Sequence, residues 1–193
     1  MKHLNYLLSF LMALLWGTGV ANADVVQNYT MDFNTSIDVT DHEFKAASGW
    51  GHIAESYYDD EEWETYWVTY TYSATAGVGG TCALKVGDQT IGSWSNSQAV
   101  NDLLVTPAVT GTSSIYVKKA YSSGSISFYK VTKDATTGKF VQGDKMSVTI
   151  PTLSTSEYVK VDIPAVEGQY IGIRASEVYI DDFAAEQVDK ELA

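Results

Sequence analysis

Apolar and polar residues alternate with a two-residue period along most of this chain. Tyr66, Val68, Tyr70 and Tyr72 fall on one side of an extended segment, with Trp67, Thr69 and Thr71 on the other. That spacing predicts a strand with an aromatic core face and a polar outer face. Ile115 and Val117 alternate with Tyr116 and Lys118, and "SSGS" at 122–125 leads into "ISFYKV", the pattern of a hairpin. The same period returns at Met146, Val148 and Ile150, at Val159, Val161 and Ile163, and at Ile171 and Ile173. Turn formers stand between these runs: "DATTGK" at 134–139, "QGD" at 142–144 and "VEGQ" at 166–169. "GVGG" at 77–80 reads as a glycine loop between strands. Short strands with turn signals at this spacing predict an all-β chain, an antiparallel sandwich or barrel.

The first 23 residues follow a different pattern. Lys2 and His3 precede the apolar run "LLSFLMALLW", and "ANA" at 21–23 offers the small residues at which a signal peptide is cut. The run is shorter than the roughly 20 residues a spanning helix needs. Residues 1–23 are therefore expected to be an export signal, with no membrane span in the mature chain. Residues 24–186 are expected to form a single domain and 187–193 a polar tail. Cys82 is the chain's one cysteine, so no internal disulfide can support the fold and its core must suffice. The mature chain is long enough to bury such a core. This combination suits a bacterial exported protein, secreted, surface-held or periplasmic.

Charge narrows the partners. The net charge is −12, and no Lys or Arg occurs between Lys45 and Lys85. Nucleic acid is excluded as a partner, because binding it requires neutralising phosphates. Within that gap, "ESYYDDEEWETYWVTYTY" at 55–72 puts six carboxylates among aromatics. Tyr57, Tyr58 and Trp63 belong to a segment too acidic to be buried, and Trp67 falls on the threonine face. Exposed rings stack on the apolar face of a sugar while acids accept its hydroxyl hydrogens. Tyr57, Tyr58, Trp63 and Trp67 are thus candidate ligand contacts; the alternative is that they fold back as a cap on the sandwich. Trp50 and Trp94 are further aromatics without an evident packing partner.

Catalytic patterns are not evident. No "GxSxG" elbow occurs, Cys82 sits in the apolar run "TCALKV", and His42 and His52 fit no zinc-binding spacing. The run "DDEEWE" lacks the alternation that sets several acids on one strand face, so glycoside hydrolysis by Glu62 or Glu64 is the least favoured reading. The chain reads as a non-enzyme.

Three separated stretches resemble one family. "MDFN" at 31–34, "NDLLVTPAV" at 101–109 and "VYIDDFAAE" at 178–186 are similar, in order and spacing, to the opening, middle and closing strands of cleaved-adhesin and MAM-like jelly-roll domains. Such domains, including the choice-of-anchor type, occur on Bacteroides-like surface proteins. Asp102 departs from the pattern, standing near the position where a tryptophan is usual. The resemblance implies a jelly roll whose first and last strands lie side by side, often with a structural calcium between them. Calcium takes six to eight hard oxygen ligands, and the matching positions here are Asp32, Asn34, Asp181 and Asp182, with Asp38 and Asp41 nearby. Asp181 and Asp182 are adjacent, so a regular strand would aim them at opposite faces, and one needs a bulge, or serves through its backbone carbonyl, to join the site. The implied function is adhesion or carbohydrate binding, with a glycan or a host or cell-surface protein as partner. A structural or assembly domain that binds another envelope protein is the alternative.

Overall fold

The protein is described from a computed structural model over residues 25–33, 38–40, 43–45 and 49–189. The first seven strands are β1 (Val25–Met31), β2 (Asp38–Thr40), β3 (Glu43–Lys45), β4 (Gly51–Ile53), β5 (Ser56–Asp59), β6 (Glu64–Trp67) and β7 (Tyr70–Ser73). They are followed by β8 (Ala83–Val86), β9 (Thr90–Gly92), β10 (Ser97–Ala99), β11 (Leu103–Val105) and β12 (Val109–Lys119). The last four are β13 (Ser125–Lys133), β14 (Phe140–Lys145), β15 (Val159–Ser176) and β16 (Val178–Asp189). The expected signal peptide lies outside the described residues, among which no helix is long and apolar enough to cross a membrane.

Ten of these strands join into one antiparallel sheet that divides into two leaves at β15. The first half of β15 pairs with β12, from Val159 opposite Val117 to Gln169 opposite Val109. From Tyr170 onward β15 pairs with β13 instead, and Gly172 and Ile173 also face β11. The first leaf runs β7, β8, β16, β12, β15; the second runs β14, β13, β15, β11, β4. The hand-over comes where "VEGQ" predicts a turn. The strand does not turn but kinks, with Gly168 at φ 58° and register shifts opposite Gly111. A bulged strand that changes sheet is how sandwich corners are built.

The interior follows from the alternation. Leu84, Val86, Ile115, Val117, Val161, Ile163 and Ile180 of the first leaf meet Leu104, Ile126, Phe128, Ile171 and Ile173 of the second in one buried cluster. β1 pairs with β16, so the first and last described strands lie side by side, as the jelly-roll resemblance implies. Beneath them Trp50 is buried and makes edge contacts with Phe33 at 5.6 Å and Phe183 at 5.2 Å. Trp50 is therefore a core residue, and it ties the "MDFN" and "IDDF" stretches together.

Local readings change in four places. β12 and β13 do not form a hairpin: β12 belongs to the first leaf and β13 to the second, so "SSGS" links the two leaves. "QGD" lies inside β14, whereas "DATTGK" does turn, its Asp134 carboxylate accepting the N–H groups of Thr136 and Thr137. Met146, Val148 and Ile150 point toward the core in alternation but form no strand, because β14 ends at Lys145. β16 continues to Asp189.

Candidate functional site

The acidic aromatic stretch folds as a hairpin followed by a separate strand. β5 and β6 pair with Ser56 opposite Trp67, Tyr57 opposite Tyr66, Tyr58 opposite Thr65 and Asp59 opposite Glu64. Asp60 to Trp63 form the turn. This pairing divides the four ring candidates. Tyr58 and Trp67 share one face and Tyr57 lies on the other, where it packs with Tyr66 against the core. Trp63 stands at the tip, 81% exposed, in the left-handed region at φ 58°. A bulky residue seldom adopts that backbone conformation, and burial gives this one nothing in return. Tyr58 is 53% exposed and Trp67 half-buried.

A second hairpin, β9 and β10, lies against the first, and Trp94 at its tip is fully exposed. One carboxylate holds both tips. Asp59 is fully buried; its Oδ1 accepts the N–H of Glu61 at 3.0 Å and of Glu62 at 3.4 Å, bracing the turn that carries Trp63. Its Oδ2 accepts the Ser93 hydroxyl at 2.7 Å, and Asn96 Nδ2 donates to Oδ1 at 3.4 Å. Ser93 and Asn96 bracket Trp94. The Ser93 hydroxyl, followed by the two backbone N–H groups and Asn96, holds the Asp59 carboxyl below the usual carboxylate range despite its burial. Asp59 is thus not one of the solvated acids that "DDEE" suggests. Asp60, Glu61, Glu62 and Glu64 are exposed. Glu62 accepts the Tyr66 hydroxyl at 2.7 Å and Glu64 at 3.3 Å; the Glu62 bond, more than burial, pushes the phenol well up.

The expected metal ligands form a second locality. Asp182 has φ 45°, and the β12–β16 register slips between Ala184 and Asp181. The irregularity takes Asp182 out of the regular alternation of the strand. Asp181 is fully buried, with Oδ2 accepting the Val78 N–H at 2.8 Å and Oδ1 that of Asp182 at 2.9 Å. The Thr81 hydroxyl also reaches Oδ2, at 3.4 Å. Its role is to hold the Gly77–Thr81 loop. At Gly77 a Cβ would collide with the Cys82 carbonyl and stand 2.6 Å from Asp181 Oδ2, which explains the glycine. Asp182 is half-buried; burial, then the nearby charge of Asp32, pushes its carboxyl above the usual range. Asn34 and Asp41 lie outside the described residues, among which no three His, Cys, Asp or Glu side chains converge as a metal cluster. The charge of Asp32 nonetheless reaches the Asp182 carboxyl, which stands at the strand irregularity.

His52, which fits no zinc-binding spacing in the sequence, has a structural partner. It lies in β4, with its ring edge-on to Tyr70 at 5.3 Å and Nε2 2.7 Å from Asp102 Oδ1. Tyr70 donates to the same oxygen, and the Glu55 N–H reaches Oδ2 at 3.2 Å. Gln89 donates to the Asp102 carbonyl and accepts its N–H. Burial, then the Asp102 charge, drives the Tyr70 phenol far up. Asp102, the departure in the middle motif, is thus the hub of a buried polar network. His42 is outside the described residues. Cys82 is half-buried, its sulfur 3.8 Å from the Ala74 carbonyl.

Two concave regions carry no sequence signal. A groove of about 950 Å³ is lined by Thr110, Lys130, Asp144, Met146, Glu167 and their neighbours. A cleft of about 300 Å³ is lined by Ser125, Ser127, Arg174 and Ser176 together with Lys145, which borders both. Neither includes a residue of the β5–β6 hairpin.

No family model and no curated relative matches the chain. Among solved structures, it is similar to the CBM22-1 and GH10 modules of the endo-1,4-β-D-xylanase 10B of Clostridium thermocellum, complexed with xylohexaose. The TM-score is 0.48 at 13% identity over 86% of this chain and 29% of that one, so the chain spans less than a third of that protein's structure. It is also similar to the CBM22-1 xylan-binding domain of Xyn10C from Paenibacillus barcinonensis, with TM-score 0.45, 14% identity and coverage of 88% and 97% of the two chains. A cleaved adhesin domain of Lys-gingipain from Porphyromonas gingivalis gives TM-score 0.44 at 14% identity, covering 84% of this chain and 99% of that one. These likenesses are low in identity and assign no ligand and no residue role. The strand pairing itself makes the chain an antiparallel β-sandwich.

Proposed function

We propose that this chain is an exported, non-catalytic carbohydrate-binding or adhesion module that presents Trp63 and Trp94 to its ligand, with Tyr58 and Trp67 on the adjoining hairpin face. One observation carries the reading: two exposed tryptophans stand on neighbouring hairpin tips that a single buried carboxylate, Asp59, holds together. Bracing the two tips limits the loop ordering that binding would cost, and the exposed indole faces suit the apolar side of a sugar. The acids around them accept hydroxyl hydrogens. Glu62 and Glu64, the two acids a glycosidase reading would use, converge on the Tyr66 phenol, which favours a binding role over hydrolysis.

Calcium at Asp32 and Asp182 belongs to the same proposal, in a structural role. A bound calcium would neutralise the two carboxylates and link the start of the domain to its last strand. Asp181 contributes by holding the glycine loop beside them.

The test is binding of residues 24–193 to a broad glycan array, with calcium and again with chelator, alongside Trp63→Ala and Trp94→Ala. The expected result is glycan binding that falls about tenfold or more in each variant, as for buried aromatic anchors at interfaces. Chelator should lower thermal stability and leave the ring contacts intact. A blank array from a folded sample would favour the protein-binding alternative. Full binding in the double tryptophan variant would place the ligand elsewhere.

A further inference from the structure

The cleft bordered by Arg174 and Lys145 differs in charge from the rest of the molecule. Arg174 is the chain's one arginine, in a sequence with twice as many acids as basic residues. The strand register builds the site. Ser125, Ser127 and Tyr129 of β13 alternate with the core residues Ile126 and Phe128 and so share the outer face. Ser127 stands opposite Arg174, Ser125 opposite Ser176, and Tyr129 opposite Lys145 of the neighbouring β14. Two cations, a phenol and three hydroxyls therefore converge on one patch of sheet, at the edge of a cavity of about 300 Å³.

Neither cation is neutralised. Arg174 Nη2 donates to the Val100 carbonyl at 2.6 Å, and no carboxylate of the described residues forms an ion pair with Arg174 or Lys145. Asp88 also lines the cleft and forms no ion pair with either cation; its Oδ1 accepts the Thr90 N–H at 2.8 Å and the Ser176 hydroxyl at 3.2 Å, so one acid there faces two cations. A half-buried guanidinium without an ion pair gains when an anion meets it. The Tyr129 phenol responds to the same field: the Ser127 hydroxyl first, then Arg174 and Lys145, hold it below its ordinary range.

We propose that this cleft binds one anionic sugar unit, a monosaccharide bearing a carboxylate or a sulfate, through Arg174 and Lys145. The guanidinium fork matches the paired oxygens of either group, and Lys145 adds a point charge. Ser125 and Ser127 offer donors and acceptors for ring hydroxyls. The cavity has room for one sugar unit, at the lower end of the volumes of small-molecule sites. The acidic surface elsewhere opposes a polyanion and so selects a single charge. This site is separate from the tryptophan tips.

The test is calorimetric titration of residues 24–193 with galacturonate, glucose 6-sulfate, galactose and inorganic sulfate, repeated on Lys145→Gln, Arg174→Lys and the Trp63→Ala/Trp94→Ala double variant. Binding of at least one acidic sugar is expected, weakened about tenfold by Lys145→Gln and by Arg174→Lys. It should be unchanged in the tryptophan variant, with galactose inactive in this cleft. Lys145 is exposed, so Lys145→Gln remains informative if Arg174→Lys fails to fold. Acidic-sugar binding undiminished by Lys145→Gln, or no saturable binding of either acidic sugar, would overturn the proposal. Sulfate binding as strongly as the acidic sugars would overturn the sugar assignment. If neutral glycans are lost in the tryptophan variant while acidic sugars still bind, both readings hold; the opposite pattern removes this one alone.

Discussion

Asp59 shows how much one side chain changes when its surroundings are known. In sequence it is one acid among six; in the fold it is buried and receives two backbone N–H groups, a hydroxyl and an amide. Its lowered carboxyl contributes stability that is present above the ordinary aspartate range and is lost as pH falls through the lower folded value. Asp59→Asn should therefore melt several degrees lower at pH 7, with the gap closing only as pH falls below the ordinary aspartate range and through the lower folded value. Calorimetric melts across that range check it. Asp182 has the opposite sign. Its raised carboxyl favours the folded state only while protonated, so its stabilisation is lost as pH rises through the folded value. Without calcium, Asp182→Asn should raise the melting temperature at pH 7; any calcium-induced rise should shrink. A fall in melting temperature with chelator present would show that the charge repulsion between Asp32 and Asp182 is unimportant.

At the scale of elements, the turns and bulges carry the surprises. Gly168 sits at φ 58° with nothing within 4 Å of where a Cβ would be, so its cost on substitution is one of backbone alone. Gly168→Ala should destabilise by about 1 kcal/mol, read from urea unfolding with an unchanged m-value. Gly77 differs, since its Cβ would strike the Cys82 carbonyl and crowd the Asp181 carboxylate. Gly77→Ala should therefore cost more than Gly168→Ala and expose the 77–81 loop to proteolysis; equal losses would show that the loop yields freely. The alternation at Tyr66–Tyr72 was legible, and burial of Val68 and Tyr70 follows it. The break at Val68–Thr69 and the preceding hairpin were not, because an acidic turn at 60–63 carries no glycine to announce it.

For the whole molecule, β15 is the shared element. It pairs with β12 in one leaf and with β13 and β11 in the other, and both leaves face the same core. Neither leaf is expected to melt alone, so far-UV circular dichroism and tyrosine or tryptophan fluorescence should report one coincident transition. Trp50 sits where the ends of this architecture meet, between Phe33 and Phe183. Trp50→Ala should cost about 3–5 kcal/mol, the range for large aromatics in cores. Tyr70→Phe, which removes one donor from the Asp102 network, should cost about 1–3 kcal/mol. Both follow from denaturation midpoints.

The amino-acid order by itself determined the all-β class and most inward-facing positions. These depend on a two-residue period and on near neighbours, which the chain carries locally. It also placed Tyr58, Trp63 and Trp67 in a candidate site. Only the tertiary structure decided which acid is buried, that Tyr57 packs inward, that Trp94 joins Trp63 through Asp59, and that Arg174 meets Lys145 beside three serines. Those outcomes depend on which strands pair, from nine positions apart at Tyr57 and Tyr66 to fifty-one at Ser125 and Ser176. Pairing is set by the total apolar surface the two leaves can bury together, not by any one segment.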